Sequence, residues 1–173
     1  SMPKLILIDG SSYLYRAFHA LPPLTASDGT PTGALFGIVN MLKSSLRENA
    51  EYIAFVLDAP GPTFRDEIYP EYKAHRDATP EAIKLAIPYI CDLLKAMHIP
   101  IIEVAGFEAD DLIGTIAKQA EKENFQVFMV TPDKDFAQLV SENIFMYKPA
   151  RMGNDIEIWG IPEVLEKFEI RNL

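Results

Sequence analysis

Cysteine is almost missing from this sequence. Cys91 is the only one in 173 residues, so no internal disulfide can form and no cysteine-based zinc cluster is possible. Cys91 reads as core filler. Histidine is nearly as scarce, with three in the chain. Basic residues are outnumbered: 16 Lys and Arg against 25 Asp and Glu leave a formal charge of -9. Taken alone, that charge argues against a polyanionic partner such as nucleic acid. No apolar run approaches the roughly 20 residues of a spanning helix, and no signal-peptide pattern opens the chain. A cytoplasmic, soluble protein is expected. Repeats, charge blocks and low-complexity tracts are missing as well.

What is present is ordinary for a globular domain. Apolar residues make up 49% of the chain and charged residues 24%, a balance that argues against disorder. The length suits one well-cored domain rather than two, spanning residues 2–173. Ser1, standing before Met2, reads as a remnant of tag removal and is set aside.

"KLILID" (residues 4–9) is a short apolar run of buried-strand type, followed by Gly10 and a serine pair suited to a turn and a helix cap. "SSYLYRAFHA" reads as a helix that stops before Pro22 and Pro23. Over residues 33–47, Leu35, Ile38, Val39, Leu42 and Leu46 recur at helical spacing. "YIAFVLDA" (52–59) is a second strand. Residues 60–79, "PGPTFRDEIYPEYKAHRDAT", are too polar for core and read as a functional loop or arch. A helix follows, entered through a Thr79 cap and Pro80, with Ile83, Ile87, Ile90, Leu94 and Met97 on one face and a kink expected at Pro88. "IPIIEV", "QVFMVT" and "NIFMY" are the third to fifth strands; "IEIW" and a short helix after Pro162 complete the chain. The alternation predicts an α/β fold with a mostly parallel sheet covered on both faces.

Between the third and fourth strands lies "GFEADDLIG", with Glu108, Asp110 and Asp111 at the start of a helix whose apolar stripe is Leu112, Ile113, Ile116 and Ala120. One acidic residue in a first turn is explained by capping and the helix dipole. Three exceed that need. Asp9, Asp58, the Glu108 group, Asp133 and Asp135 all fall just beyond strand C-termini, the edge at which open parallel sheets bind ligands. Seven carboxylates cannot share a pocket unless some take up protons or hard cations neutralise them. The donors are all oxygen, which suits Mg²⁺ or Mn²⁺. Two such ions roughly 4 Å apart would serve phosphodiester hydrolysis. The charge objection also weakens, because without those seven residues the formal charge falls from -9 to -2.

Each group alone has a plainer reading. A single Asp after a strand is usually a turn residue or cap, and "DKD" is a common surface turn. Four groups at four strand ends are a different matter. In the arch, "EYKAHR" offers Lys73 and Arg76 to phosphates and Tyr72 to a base. It is no basic patch, however, since residues 65–84 hold four Lys/Arg and five Asp/Glu. Arg16 is equally open, and His19 and His98 read as ordinary helix and helix-end residues.

"LIDGSSYLYRAFHALPPL", "PTGALFGIVNML", "DAPGPTFRDEIYPEYKAHR", "EADDLIGTIA" and "DKDFAQLV", in this order and spacing, resemble the amino-terminal 5'-nuclease domain of bacterial DNA polymerase I, a 5'-3' exonuclease of the flap endonuclease group with a PIN-like fold. The resemblance covers nearly the whole chain. It implies structure-selective, divalent-metal-dependent hydrolysis of DNA at 5' ends and flaps, including RNA-primed strands, as in primer removal and repair. It assigns Asp9, Asp58, Glu108, Asp110, Asp111, Asp133 and Asp135 to a two-metal site. Lys73 and Arg76 become the catalytic basic pair at the base of a helical arch; Tyr72 and Arg16 become substrate contacts. Pro132 stands where the family often has Gly. The family's downstream Gly-Asp...Asp segment and helix-three-turn-helix module would follow Leu173, so a longer parent protein, with a polymerase joined downstream, is expected. A monomer without membrane contact is the expected state.

Two other classes compete. A receiver-like, non-enzymatic acidic α/β module would also place acids after early strands, but it does not account for the arch or for so many carboxylates. An Asp-nucleophile phosphatase needs Asp-x-Asp at the first strand, where this chain has Asp9, Gly10 and Ser11.

Overall fold

β1 (Lys4–Asp9) is hydrogen-bonded on both sides, to β2 (Tyr52–Val56) and to β4 (Gln126–Val130), and its central place organises the rest of the sheet. The computed structural model describes residues 1–20, 32–60, 81–149 and 156–168. The strand order is β3-β2-β1-β4-β5-β6, where β3 is Ile101–Ile102, β5 Ile144–Pro149 and β6 Ile156–Trp159. The first five strands run parallel and β6 runs antiparallel to β5. The order therefore reverses between β1 and β4, and such a switch point opens a crevice beyond the strand C-termini.

Alternate residues of the central strands face opposite layers. Ile6 and Ile8 of β1 join a core with Leu14 of α1 (Gly10–Ala20), Ile38 and Leu42 of α2 (Thr32–Leu46), and Ile90 and Leu94 of α3 (Glu81–Ala96). Leu7 turns the other way. It packs with Ile113 and Ala117 of α4 (Ala109–Lys122) and with Val127 and Met129. A six-residue 3₁₀ helix (Lys134–Leu139) follows β4, and α5 (Ile161–Lys167) closes the described chain. No described helix is long and apolar enough to cross a membrane.

Several sequence expectations need correction. Gly10 is already helical, and the amide of Ser12 donates to Asp9 Oδ1 at 3.3 Å, so the strand's last residue caps α1 rather than the serine pair. β2 ends at Val56, short of residue 59. β3 is only two residues because the chain then turns, with Phe107 N donating to Val104 O and Gly106 at φ 87°, a conformation that favours glycine. Pro88 does lie inside α3, which runs from Glu81 to Ala96. Cys91 is half-buried and in neither core cluster, so it does not fill the core. The buried face of α4 is Ala109, Ile113, Ala117 and Ala120, with Leu112 and Ile116 at its margin. The arch residues beyond Pro60 lie outside the described ones.

Candidate functional site

The parallel strands deliver their acidic residues to one edge. Asp9 ends β1, Asp58 lies just past β2, Glu108 caps the helix after β3, and Asp133 and Asp135 stand in the turn after β4. Carboxylate oxygens of Glu108, Asp110 and Asp111 all lie within 4.8 Å of one another. The first helical turn explains this spacing, because a cap and the second and third helical residues share one end of the helix.

Three hydrogen-bonded links tie the groups together. Asp58 Oδ1 accepts the Ala109 amide at 2.6 Å, docking the start of α4 onto the end of β2. The Asp58 amide in turn donates to Ser11 Oγ at 2.7 Å, fixing Asp58 to α1. Thr131 Oγ1 donates to Asp9 Oδ2 at 2.8 Å and accepts the Asp133 amide at 3.1 Å, joining β1 to the turn after β4. Within that turn, Asp133 Oδ1 accepts the Asp135 amide at 2.9 Å.

Burial sets the electrostatics. Asp9 and Glu108 are each 2% exposed and Thr131 is fully buried, so three polar residues are sealed at one sheet edge. Burial pushes the Asp9 carboxyl up to about 6; hydrogen bonds from Ser12 and Thr131 oppose the rise, and the charge of Asp58 adds to it. A buried carboxylate whose charged form is disfavoured, at the same sheet edge as a triad of close carboxylates, fits a hard divalent cation. Asp133 and Asp135 are exposed and Asp58, Asp110 and Asp111 half-buried, which leaves the edge open on one side.

Arg16 is exposed on α1, where its charge acts on Tyr13, itself neighboured by Asp9. Tyr72, Lys73 and Arg76 lie outside the described residues. His98 lies two residues past the end of α3 with φ 58°, its amide donating to Lys95 O, an ordinary helix-end role. Sequence reasoning missed Ser11 and Thr131 as supports of the carboxylates. The available signal was a polar residue standing directly between an apolar strand and "PDKD".

A family model described as "5'-3' exonuclease, N-terminal resolvase-like domain" matches residues 4–169. A 5'-3' exonuclease of Aquifex aeolicus is 42% identical over 170 residues, covering 98% of this chain and 57% of the relative. DNA polymerase I of Pseudomonas aeruginosa is 44% identical over 164 residues, covering 94% of this chain and 18% of that protein. The chain thus spans little more than half of one relative and under a fifth of the other. Among solved structures, the bacteriophage T5 flap endonuclease in a pseudo-enzyme-product complex with DNA and metal ions shares the fold, with TM-score 0.66 at 18% identity over 96% of this chain and 61% of the other.

Proposed function

The chain belongs to the family of 5'-3' exonuclease N-terminal, resolvase-like domains, and from that premise we propose that it is the catalytic domain of a metal-dependent, structure-selective 5' nuclease. Its substrates are DNA 5' ends and flaps, including RNA-primed strands, and its setting is cytoplasmic primer removal and repair. The observation that carries the reading is the linking of carboxylates from four strand ends along the C-terminal edge of the parallel sheet.

Glu108, Asp110 and Asp111 would hold one divalent ion, and Asp9, Asp58, Asp133 and Asp135 supply the remaining oxygen donors. Mg²⁺ or Mn²⁺ suits such a donor set. When bound, a pair of such ions supplies Lewis acidity for the phosphoryl group and lowers the pKa of the attacking water. The chain's own part is positional. Asp58 fixes the triad-bearing helix against β2, and Thr131 holds Asp9 and the Asp133 turn in register. Lys73 and Arg76, on the resemblance, steady the scissile phosphate, with Tyr72 and Arg16 contacting the strand. Relatives named DNA polymerase I carry the matching segment as a small part of their length, which supports a polymerase joined to this domain in a longer protein.

The test is cleavage of a labelled 5'-flap duplex with Mg²⁺ or Mn²⁺, with Asp133→Asn as control. Metal-dependent release of the flap, lost in the variant, is expected. Release that survives chelation or Asp133→Asn overturns the proposal, as does failure to cleave in both this chain and a longer protein containing it. The receiver-like alternative predicts instead an aspartyl adduct after treatment with acetyl phosphate.

A further inference from the structure

Thr131 is the last residue before the Asp133 turn, and its side chain is fully buried. A hydroxyl so placed must be hydrogen-bonded or cost stability. Thr131 uses its hydroxyl in both directions. It donates to Asp9 Oδ2, 122 residues away in sequence, and accepts the backbone amide of Asp133. The Ser12 amide takes Asp9 Oδ1, so both oxygens of Asp9 are engaged and its carboxylate plane is set by protein groups. A carboxylate oxygen has two acceptor sites, so Oδ2 keeps capacity for a cation after accepting from Thr131.

We propose that Thr131 is a positioning residue of the metal centre: its hydroxyl couples the orientation of the Asp9 carboxylate to the backbone of the Asp133 turn, so that ligands from β1 and β4 are presented together. The inference rests on the metal-site reading above. Hydroxyl partners of ligating carboxylates act through the ligand they orient, and losing such a partner typically weakens metal binding by roughly 10–100-fold. The residue type follows from the position. Serine would supply the same two bonds without the methyl group that fills the interior, whereas valine would fill the space and supply neither bond.

The experiment is Mn²⁺ titration by calorimetry on the chain and on Thr131→Val and Thr131→Ser, with melting curves and amide exchange recorded on the metal-free proteins. Thr131→Val should weaken Mn²⁺ binding by roughly 10–100-fold and speed exchange of the Asp133 amide by roughly tenfold, while the β4 amides stay protected. Thr131→Ser should lose melting temperature through its missing methyl yet bind Mn²⁺ within about threefold of the parent, a split that a structural role alone does not produce. Equal Mn²⁺ affinity in parent and Thr131→Val, or an affinity loss in Thr131→Ser that follows its loss of stability, overturns the assignment. Should valine prevent folding, Thr131→Ala takes its place: the same loss of Mn²⁺ affinity is expected, and an affinity equal to the parent's overturns the assignment. A parent that binds no Mn²⁺ while its Asp133 amide is protected overturns the metal-site reading itself, and the positioning role with it.

Discussion

Asp58 caps a helix that begins 51 residues after it: its Oδ1 accepts the Ala109 amide at 2.6 Å, whereas the adjacent cap residue, Glu108, makes no side-chain cap hydrogen bond. Capping from a distance serves two ends at once. It satisfies one of the orphan donors at the start of α4, and it fixes the Glu108 triad relative to the end of β2. The expected outcome separates charge from geometry. Asp58→Asn keeps an acceptor oxygen and should unfold within about 0.5 kcal/mol of the parent in EDTA, while Asp58→Ala should lose about 1 kcal/mol. Both should bind Mn²⁺ more weakly. Denaturant unfolding checks the first pair, and equal stability of the two variants would remove the cap from the account.

Asp9 gives the metal-free protein a defined pH response. Its folded pKa of about 6 lies above the ordinary carboxylate value of 3.8, so the folded state holds a proton that the unfolded state releases between those values. Stability from this group is therefore full below about pH 4 and is lost as pH rises through 6. Asp9→Asn removes the penalty, and in EDTA at pH 7.5 it should stabilise the chain by on the order of 2 kcal/mol, with little gain at pH 4. Mn²⁺ competes with the same proton, so Mn²⁺ affinity of the parent should rise with pH through 6. A parent whose affinity is flat between pH 5 and 7 would separate Asp9 from the metal site.

Gly10 tests the junction between β1 and α1. A Cβ added there would lie 2.6 Å from Cζ of Phe55, a ring with no exposed surface. Alanine's better helix propensity, worth at most about 1 kcal/mol, is outweighed by the overlap, which typically costs 1–3 kcal/mol. Gly10→Ala should therefore lower the melting temperature by several degrees, and pairing it with Phe55→Leu should recover part of the loss. An unchanged melting temperature would mean that the strand-to-helix junction has room that the packing denies.

The carboxylates were legible in the sequence because they stand at or shortly after apolar runs where a parallel strand must end. Asp9 and Asp58 follow "LILI" and "FVL", so period and position carried both fold and site together. Other features left a fainter mark or none. Thr131 is an ordinary strand residue by propensity, and only the pairing of β1 with β4 brings it to Asp9. The Asp58 cap spans 51 residues, a relation that no local pattern encodes. β3 shrank to two residues because the turn through Gly106 ends its pairing. Tyr72, Lys73 and Arg76 rest on residue type and resemblance, since the described residues do not include them.

Asp111→Asn should change sign with the metal. Asp111 lies in the first turn of α4, where a negative charge gains about 0.3–1 kcal/mol from the helix dipole. It also lies within 4.8 Å of both Glu108 and Asp110, and each like-charge neighbour at such a distance costs about 1 kcal/mol even in water. Repulsion from two neighbours exceeds the dipole gain, so in EDTA the variant should unfold at a slightly higher denaturant concentration than the parent. In saturating Mn²⁺ the order should invert, because binding stabilises the folded parent by RT ln(1 + [L]/Kd) and the variant has lost a ligand. Paired unfolding curves in the two buffers decide it. A variant above the parent in both would keep the repulsion but remove Asp111 from the ligand set, and one below the parent in both would show that the dipole, not crowding, governs this turn.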